Sequence, residues 1–377
     1  MSQILVHIIV GLSLILSLAY LFQRLKKFDH TPWDSWAIRA INLLYRLKYS
    51  LLPQCIVVEN GGTIAKIMVY PVKSLAPVYL DKCYIDEFGF KYDRMFMLGR
   101  WSETKAAFES ITQRQCPRLS LCKVTLDQEN EILTVFWPTK KEERNSSKSF
   151  TIPCIQSSKF KEYPVELWGV GFHTSIIDIL PGEFIADMNL PSDTKLLFSE
   201  NGKSVKSNSP GKEVIYNSST SREFRSTRFQ EYFPSLFLTE EDISDLNNRL
   251  NGLEFPFQAT EVNFRGNVIL SGTRKPYDSD TWSRIRIVNP RRVSHWHVTS
   301  KCPRCTIPNI DPSTGEMRDD SPVSKMLARY RRVDSGQRAY FFFGIHAIQL
   351  GEVGYELEVG DRIEVLSKRI NVYEGLK

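Results

Sequence analysis

The chain opens on one long apolar block, passes through a short amphipathic stretch, and from residue 63 onward alternates over short distances. Residues 4–22 read ILVHIIVGLSLILSLAYLF, with His7, Ser13 and Ser17 the only polar side chains. At ~1.5 Å per residue this block nearly crosses a ~30 Å hydrocarbon layer. Arg24, Lys26 and Lys27 follow at once, and no charged side chain precedes the block. The positive-inside rule then predicts a membrane anchor over residues 1–27, with the rest of the chain facing the cytosol. A cleaved secretory signal would carry its charges before the apolar core and small residues at its end. Leu21-Phe22-Gln23-Arg24 offers neither.

Residues 28–62 read as a linker. Trp36, Ile38, Ile41, Leu44 and Tyr45 recur at helical spacing among Arg39, Arg46 and Lys48. That pattern predicts an amphipathic helix over 33–49, lying on a membrane surface or solvated as a spacer. Gly61-Gly62 ends it. From Thr63 the pattern is that of short strands: residues 64–72, 132–137, 268–270, 285–288 and 362–366 are rich in β-branched and aromatic side chains. Pro153, Gly169, Gly211, Gly272 and Pro290 supply turn signals among them. Many short strands without strand–helix alternation predict antiparallel barrels or a sandwich, within a β-rich α+β class. Two helices interrupt the pattern. Thr239 can cap a helix whose first turn is Glu240-Glu241-Asp242 and whose buried stripe is Ile243, Leu246 and Leu250. Residues 324–332 form the second, after Pro322. Residues 199–229 are polar and read as a long loop. The boundary between an N-terminal β-domain, 63–190, and a C-terminal one, 191–370, falls near residue 190.

Composition changes this picture little. The 377 residues carry a formal net charge of +6. That is modest for this size and does not by itself argue for a nucleic-acid partner, which asks for a clustered basic face, and no RNA-binding or zinc-finger signature is present. The seven cysteines, Cys55, Cys83, Cys116, Cys122, Cys154, Cys302 and Cys305, are odd in number and irregular in spacing. They fit a reducing compartment better than a disulfide framework.

The chemistry concentrates at Cys302-Pro303-Arg304-Cys305. A zinc site needs about four ligands, usually a second Cys pair or two histidines at set spacing. Only His295 and His297 stand nearby. A dithiol redox site gains its reactive thiolate from a helix N-terminus. Pro308, Pro312 and Gly315 forbid a sustained helix here. A single thiolate could ligate a transition-metal cofactor, with Arg304 beside it to hold an anion. Two buried, inert cysteines account for the pair equally well on chemistry alone.

The run RCTIPNIDPSTG, residues 304–315, resembles the signature of the MOSC family, named for the C-terminal domain of molybdenum-cofactor sulfurase. Other stretches resemble family elements in the same order. They are Val69-Tyr70-Pro71-Val72-Lys73-Ser74, Tyr92-Asp93-Arg94-Met95-Phe96, Thr112-Gln113-Arg114 with Pro117-Arg118-Leu119, Asn263-Phe264-Arg265-Gly266-Asn267-Val268 and Asp280-Thr281-Trp282. The resemblance covers about residues 63–367 and is strongest to the mitochondrial amidoxime-reducing branch. It implies a MOSC N-terminal β-barrel region plus a MOSC β-barrel domain, preceded by one transmembrane helix. It implies a molybdenum–molybdopterin cofactor, without pyridoxal phosphate, and Cys305 as metal ligand and catalytic residue. Lys73, Ser74, Arg94, Arg265, Asn267 and Arg304 are implied as cofactor-binding. Implied too are reduction of N-hydroxylated compounds, electrons from NADH through NADH-cytochrome b5 reductase and cytochrome b5, and a mitochondrial outer-membrane location. An endoplasmic-reticulum or peroxisomal membrane is the alternative. The chain departs from the branch at Glu231-Tyr232-Phe233-Pro234, which stands where the branch carries Asp-Thr-Ser-Pro. It departs again at Gly266, Pro303, Pro308 and Asn309. A non-catalytic cofactor-binding module therefore stays open as a second expectation.

Overall fold

A computed structural model of the chain describes residues 35–51, 58–139, 147–154, 161–167, 170–199, 203–204, 226–253 and 257–370. The apolar block and most of the polar stretch 199–229 lie outside them. Among the described residues no helix is long and apolar enough to cross a membrane.

The expected strands form, and they build two closed systems. The larger sheet runs Val268–Ser271, Ser235–Thr239, Phe342–Leu350, Arg292–Pro303, Trp282–Asn289, Arg362–Lys368, Glu59–Val69, Val78–Leu80. Glu59–Val69 also pairs antiparallel with Val268–Ser271, which closes the sheet on itself. Alternation fills the interior: inward side chains such as Ile64, Ile67, Val268, Leu270, Trp282, Ile285, Trp296 and Val365 form one buried cluster. The smaller system is a five-stranded barrel of Glu162–Leu167, Val170–Ile177, Lys195–Phe198, Phe96–Ser102 and Ala107–Ser110. A three-stranded sheet, Lys123–Asp127, Ile132–Pro138 and Ser147–Pro153, completes that half.

The chain does not pass from one half to the other at a single point. Glu59–Val69, early in sequence, lies between C-terminal strands, paired with Arg362–Lys368 on one side. Lys195–Phe198, beyond residue 190, pairs with Phe96–Ser102 and Val170–Ile177 in the small barrel. Sequence pattern reports strands, whereas these pairings are long-range and leave no local trace.

The helix Glu240–Leu250 starts as expected, with the Thr239 hydroxyl accepting from the Asp242 N–H at 3.0 Å. Leu246 and Leu250 are fully buried beneath it. The second helix is Pro322–Tyr330, beginning at the proline itself, which suits a first-turn position lacking an N–H partner. The linker helix, Ser35–Leu51, is docked onto the C-terminal end of the larger sheet. Asn42 exchanges two hydrogen bonds with the backbone of Ile370, at 2.7 and 3.3 Å, and Lys48 pairs with Glu59 at 2.6 Å.

Candidate functional site

Strand ends and loops from both barrels converge on one cleft. The Tyr70–Leu75 segment leaves Glu59–Val69, Arg94 precedes Phe96–Ser102, and Thr112-Gln113 follow Ala107–Ser110. Arg265 and Asn267 precede Val268–Ser271, and Arg304-Cys305 follow Arg292–Pro303. All seven residues expected at a cofactor site, Lys73, Ser74, Arg94, Arg265, Asn267, Arg304 and Cys305, line this cleft.

The local backbone is bent to bring them there. Ser74, Arg94 and Arg265 all adopt positive φ, at 78°, 49° and 59°. Non-glycine residues held this way cost about 1–3 kcal/mol each and persist where the surroundings fix them. The Arg94 N–H bonds Tyr70 O at 2.8 Å, and the Tyr70 N–H bonds the fully buried Asp93 carboxylate at 2.9 Å. The Arg94 guanidinium grips Asp93 and donates to Arg265 O at 3.1 Å. Arg265 in turn donates to Leu75 O at 2.9 Å. Both guanidinium groups lie against the Tyr70 ring, 4.4 and 4.2 Å from its centre. The Arg94 charge is thus spent on Asp93, while Arg265 keeps its Nη2 buried and without a partner. Burial lowers Arg265 to about 10, and the neighbouring Arg94 adds to that.

Lys73 is buried, and its ammonium reaches Phe229 O at 3.2 Å and Glu231 at 3.4 Å. Burial pulls Lys73 below its usual value, and the Glu231 charge opposes that. Asn267 lines the cleft but its amide is spent on the fold, donating to Met68 O and accepting from the Leu236 N–H, both at 3.2 Å. Gln113 donates to Ser74 O at 2.7 Å and holds that loop in place.

The loop that carries Cys305 is pinned from two sides. Asn263 donates to Pro308 O at 3.2 Å and Ile310 O at 2.8 Å. Asn309, fully buried, bonds Thr306 O, the Ser324 hydroxyl and the Ser324 N–H. Only three residues, Ile307–Asn309, make a 3-10 turn after Cys305, in keeping with the prolines. Downstream, Asp311 caps Ser313, and Gly315 turns at φ +68° against Leu121. A Cβ on Gly315 would stand 2.7 Å from Leu121, so a glycine is required where this turn meets the other half.

The two cysteines of the pair differ sharply. Cys302 is buried, accepts from Arg304 Nη1 at 3.1 Å, and has its thiol pushed up by burial against the opposing Arg304 charge. Cys305 is half-buried and opens to the cleft. Arg304 also donates to Phe264 O at 2.7 Å, which leaves its Nε buried and unpartnered. The cation set against Cys305 is Arg114. Burial opposes its charge, but the Cys305 sulfur beside it and a hydrogen bond to that sulfur push the guanidinium above its usual value. Among the described residues no three His, Cys, Asp or Glu side chains gather as a metal-binding set.

Three contributors carry no role that the sequence alone assigns. Arg114 lies inside a family-like motif that gives it no role. Glu231 lies at a departure from the branch. His346 carried no signal, being one position on the strand Phe342–Leu350. Its ring is buried against Phe233, with centroids 4.9 Å apart, and neither nitrogen has a hydrogen-bond partner. Burial, with Arg304 nearby, pushes His346 down to about 3; the Ser235 backbone favours the charged ring but does not reach hydrogen-bonding geometry. Conversely, Asp280 and Trp282 serve the fold. Asp280 pairs with the buried Arg331 at 2.8 Å, and Trp282 is wholly enclosed in the larger barrel.

The cleft therefore offers one accessible thiol beside an arginine, a buried lysine, and unpartnered donors on Arg265 and Arg304. This is a donor set for a ligand with an anionic group and a polar rim, held to a soft metal by one sulfur. Residues 61–176 match the MOSC N-terminal beta barrel domain, and residues 225–364 match the MOSC domain. Mitochondrial amidoxime reducing component 2 of Homo sapiens is 26% identical over 81% of this chain and 84% of its own length. Mitochondrial amidoxime-reducing component 1 of Homo sapiens is 26% identical over 82% of this chain and 85% of its own. Molybdenum cofactor sulfurase of Oryza sativa subsp. japonica is 25% identical over 80% of this chain, but over 35% of its own.

Proposed function

The chain belongs to the family of MOSC-domain proteins, and on that premise we propose that it is a membrane-anchored oxidoreductase carrying a molybdenum–molybdopterin cofactor on Cys305. Its substrates are N-hydroxylated compounds such as amidoximes and hydroxylamines. A molybdenum-cofactor-related role follows from the relatives. The reaction is our reading, and one observation carries it: a single half-exposed thiol beside Arg114 shares a cleft with buried cations that have donors to spare.

When bound, the cofactor supplies a metal centre able to carry the two electrons that break an N–O bond. The chain's own residues do the rest. Cys305 offers the soft anionic ligand, and Arg114 holds its sulfur. Lys73, Ser74 and Arg265, which line the cleft, would hold the phosphate by charge-assisted bonds. Arg94, tied to Asp93, sets the position of Arg265. Arg304 presents its Nε to the polar rim, and Asn267 fixes the strands beneath. Reduction of an N-hydroxyl group consumes two protons and releases water. His346, kept neutral by burial, has one donor and one acceptor nitrogen to offer to a polar group in the cleft.

Electrons come from NADH through NADH-cytochrome b5 reductase and cytochrome b5, and the anchor over residues 1–27 holds the chain on their membrane surface. The mitochondrial outer membrane is the proposed location, with the domain facing the cytosol. A second reading, a cofactor-binding module without turnover, draws support from Glu231, an acid set among the cations that would hold a phosphate. One assay separates the readings. Supplied with NADH, cytochrome b5 and its reductase, the wild type should reduce a model amidoxime. Cys305→Ser should not, because a serine oxygen is a harder, far less acidic ligand. Cys302→Ser should be much milder, since that sulfur faces Arg304 and the core. Equal loss in both variants would count against the single-ligand assignment, and an inactive, cofactor-loaded wild type would favour the module.

A further inference from the structure

Glu231 is the one acid among the described residues that line the cleft, where Lys73, Arg94, Arg265 and Arg304 are the cations. Its carboxylate lies 3.4 Å from the Lys73 ammonium. Lys73 is almost fully enclosed, at 9% side-chain exposure, whereas Glu231 keeps 33%. The acid thus reaches in from the mouth to a buried cation. Its charge also favours the protonated forms of Arg114 and Arg265, and lies within range of Cys302 and His346. Arg94 is neutralised by Asp93 behind it, so Glu231 balances charge that Asp93 does not. The cations are not saturated by it, since Arg265 Nη2 and Arg304 Nε stay unpartnered.

We infer that Glu231 is a built-in counter-ion of the anion subsite: it holds Lys73 while no ligand is bound, and a phosphate group enters in competition with this carboxylate. The inference rests on the cofactor reading for the identity of the ligand, and on the Lys73–Glu231 geometry for everything else. Its physical consequence is that phosphate binds more weakly than the cations of the cleft alone would allow. A phosphate near Lys73 must either displace Glu231 toward solvent or tolerate its repulsion. The partial exposure of Glu231 makes displacement the easier course, because the carboxylate then regains water.

The test uses the full chain in detergent, made in a host without the cofactor, with inorganic phosphate as the probe. Glu231→Gln keeps the shape and removes the charge. It should bind phosphate about tenfold more tightly than wild type in calorimetry. It should also melt lower than wild type without phosphate, because a buried lysine has lost its acidic partner and keeps only the Phe229 carbonyl, and phosphate should restore it. Glu231→Asp keeps the charge and should bind phosphate as wild type does. Lys73→Met in the Glu231→Gln background should erase the gain. A Glu231→Gln protein that binds phosphate no better than wild type, or an Asp variant that gains as much, overturns the inference. Pterin content of the same variants from a cofactor-making host separates the two claims. Pterin present without any phosphate gain sinks the counter-ion alone, and a phosphate gain without pterin in any variant sinks the cofactor reading alone.

Discussion

Single residues set the chemistry here through what they are buried against. His346 shows how that can be measured. In the folded chain it takes a proton only near 3, because burial and Arg304 oppose the charge; in the unfolded chain it does so near 6.5. A depressed histidine gives stability that is present above pH 6.5 and is lost as pH falls toward 3. Asp242 works the other way, since burial raises it to about 7 and its folded form gains a proton over the same window. The whole-protein slope therefore mixes signs, and the difference between variants is the clean quantity. His346→Gln should flatten the loss of stability between pH 6.5 and about 4 by one proton, about 1.4 kcal/mol per pH unit. Urea unfolding at a series of pH values reads this directly. A variant whose slope matches wild type would mean that His346 is not held neutral. At this scale the site was partly legible. Cys305, Lys73 and Arg265 sat inside recognisable motifs and do meet in one cleft. Arg114 and His346 could not be assigned, because what makes them matter is a neighbour far away in sequence.

Elements position those residues, and one of them differs from its sequence expectation. The helix over 35–51 has an amphipathic pattern that suits a membrane surface or a solvated spacer equally well, and the pattern alone cannot say which surface receives the apolar face. The structure gives it to the Arg362–Lys368 end of the larger sheet, through Asn42 with Ile370 and Lys48 with Glu59. Leu43 and Leu47 remain exposed on its outer side. A chain lacking residues 1–27 should accordingly be soluble and keep its melting temperature. Removing residues 1–57 should lower it, since the helix and its contacts go too. Thermal melts of the two truncations check this, and equal melting temperatures would show that the helix contributes nothing to the fold. The capped helix Glu240–Leu250 was fully legible, because a Thr cap, an acidic first turn and a spaced apolar stripe are all local signals. The closures of the two barrels were not. Pairing Val165 with Phe108, or Ile64 with Leu270, depends on registers that no local pattern encodes.

The whole molecule is two barrels joined by crossing strands, with the cleft where their loops meet. This explains why the family-like motifs are scattered from Tyr70 to Gly315: apart from Asp280-Thr281-Trp282, which serves the larger barrel, they mark places where one half touches the other or faces the cleft. Asp311–Gly315 packs on Leu121, Asn263 holds the Cys305 loop, and Asp93 fixes both Tyr70 and Arg94. The halves must assemble before Arg114 can meet Cys305, so cofactor retention reports on the architecture as well as on the ligand. The most direct test of the account is the metal and pterin content of the full chain purified from a host that makes the cofactor. The account predicts about one molybdenum and one pterin per chain, with both thiol and cations of the cleft engaged. Stoichiometric zinc with no molybdenum and no pterin would contradict it.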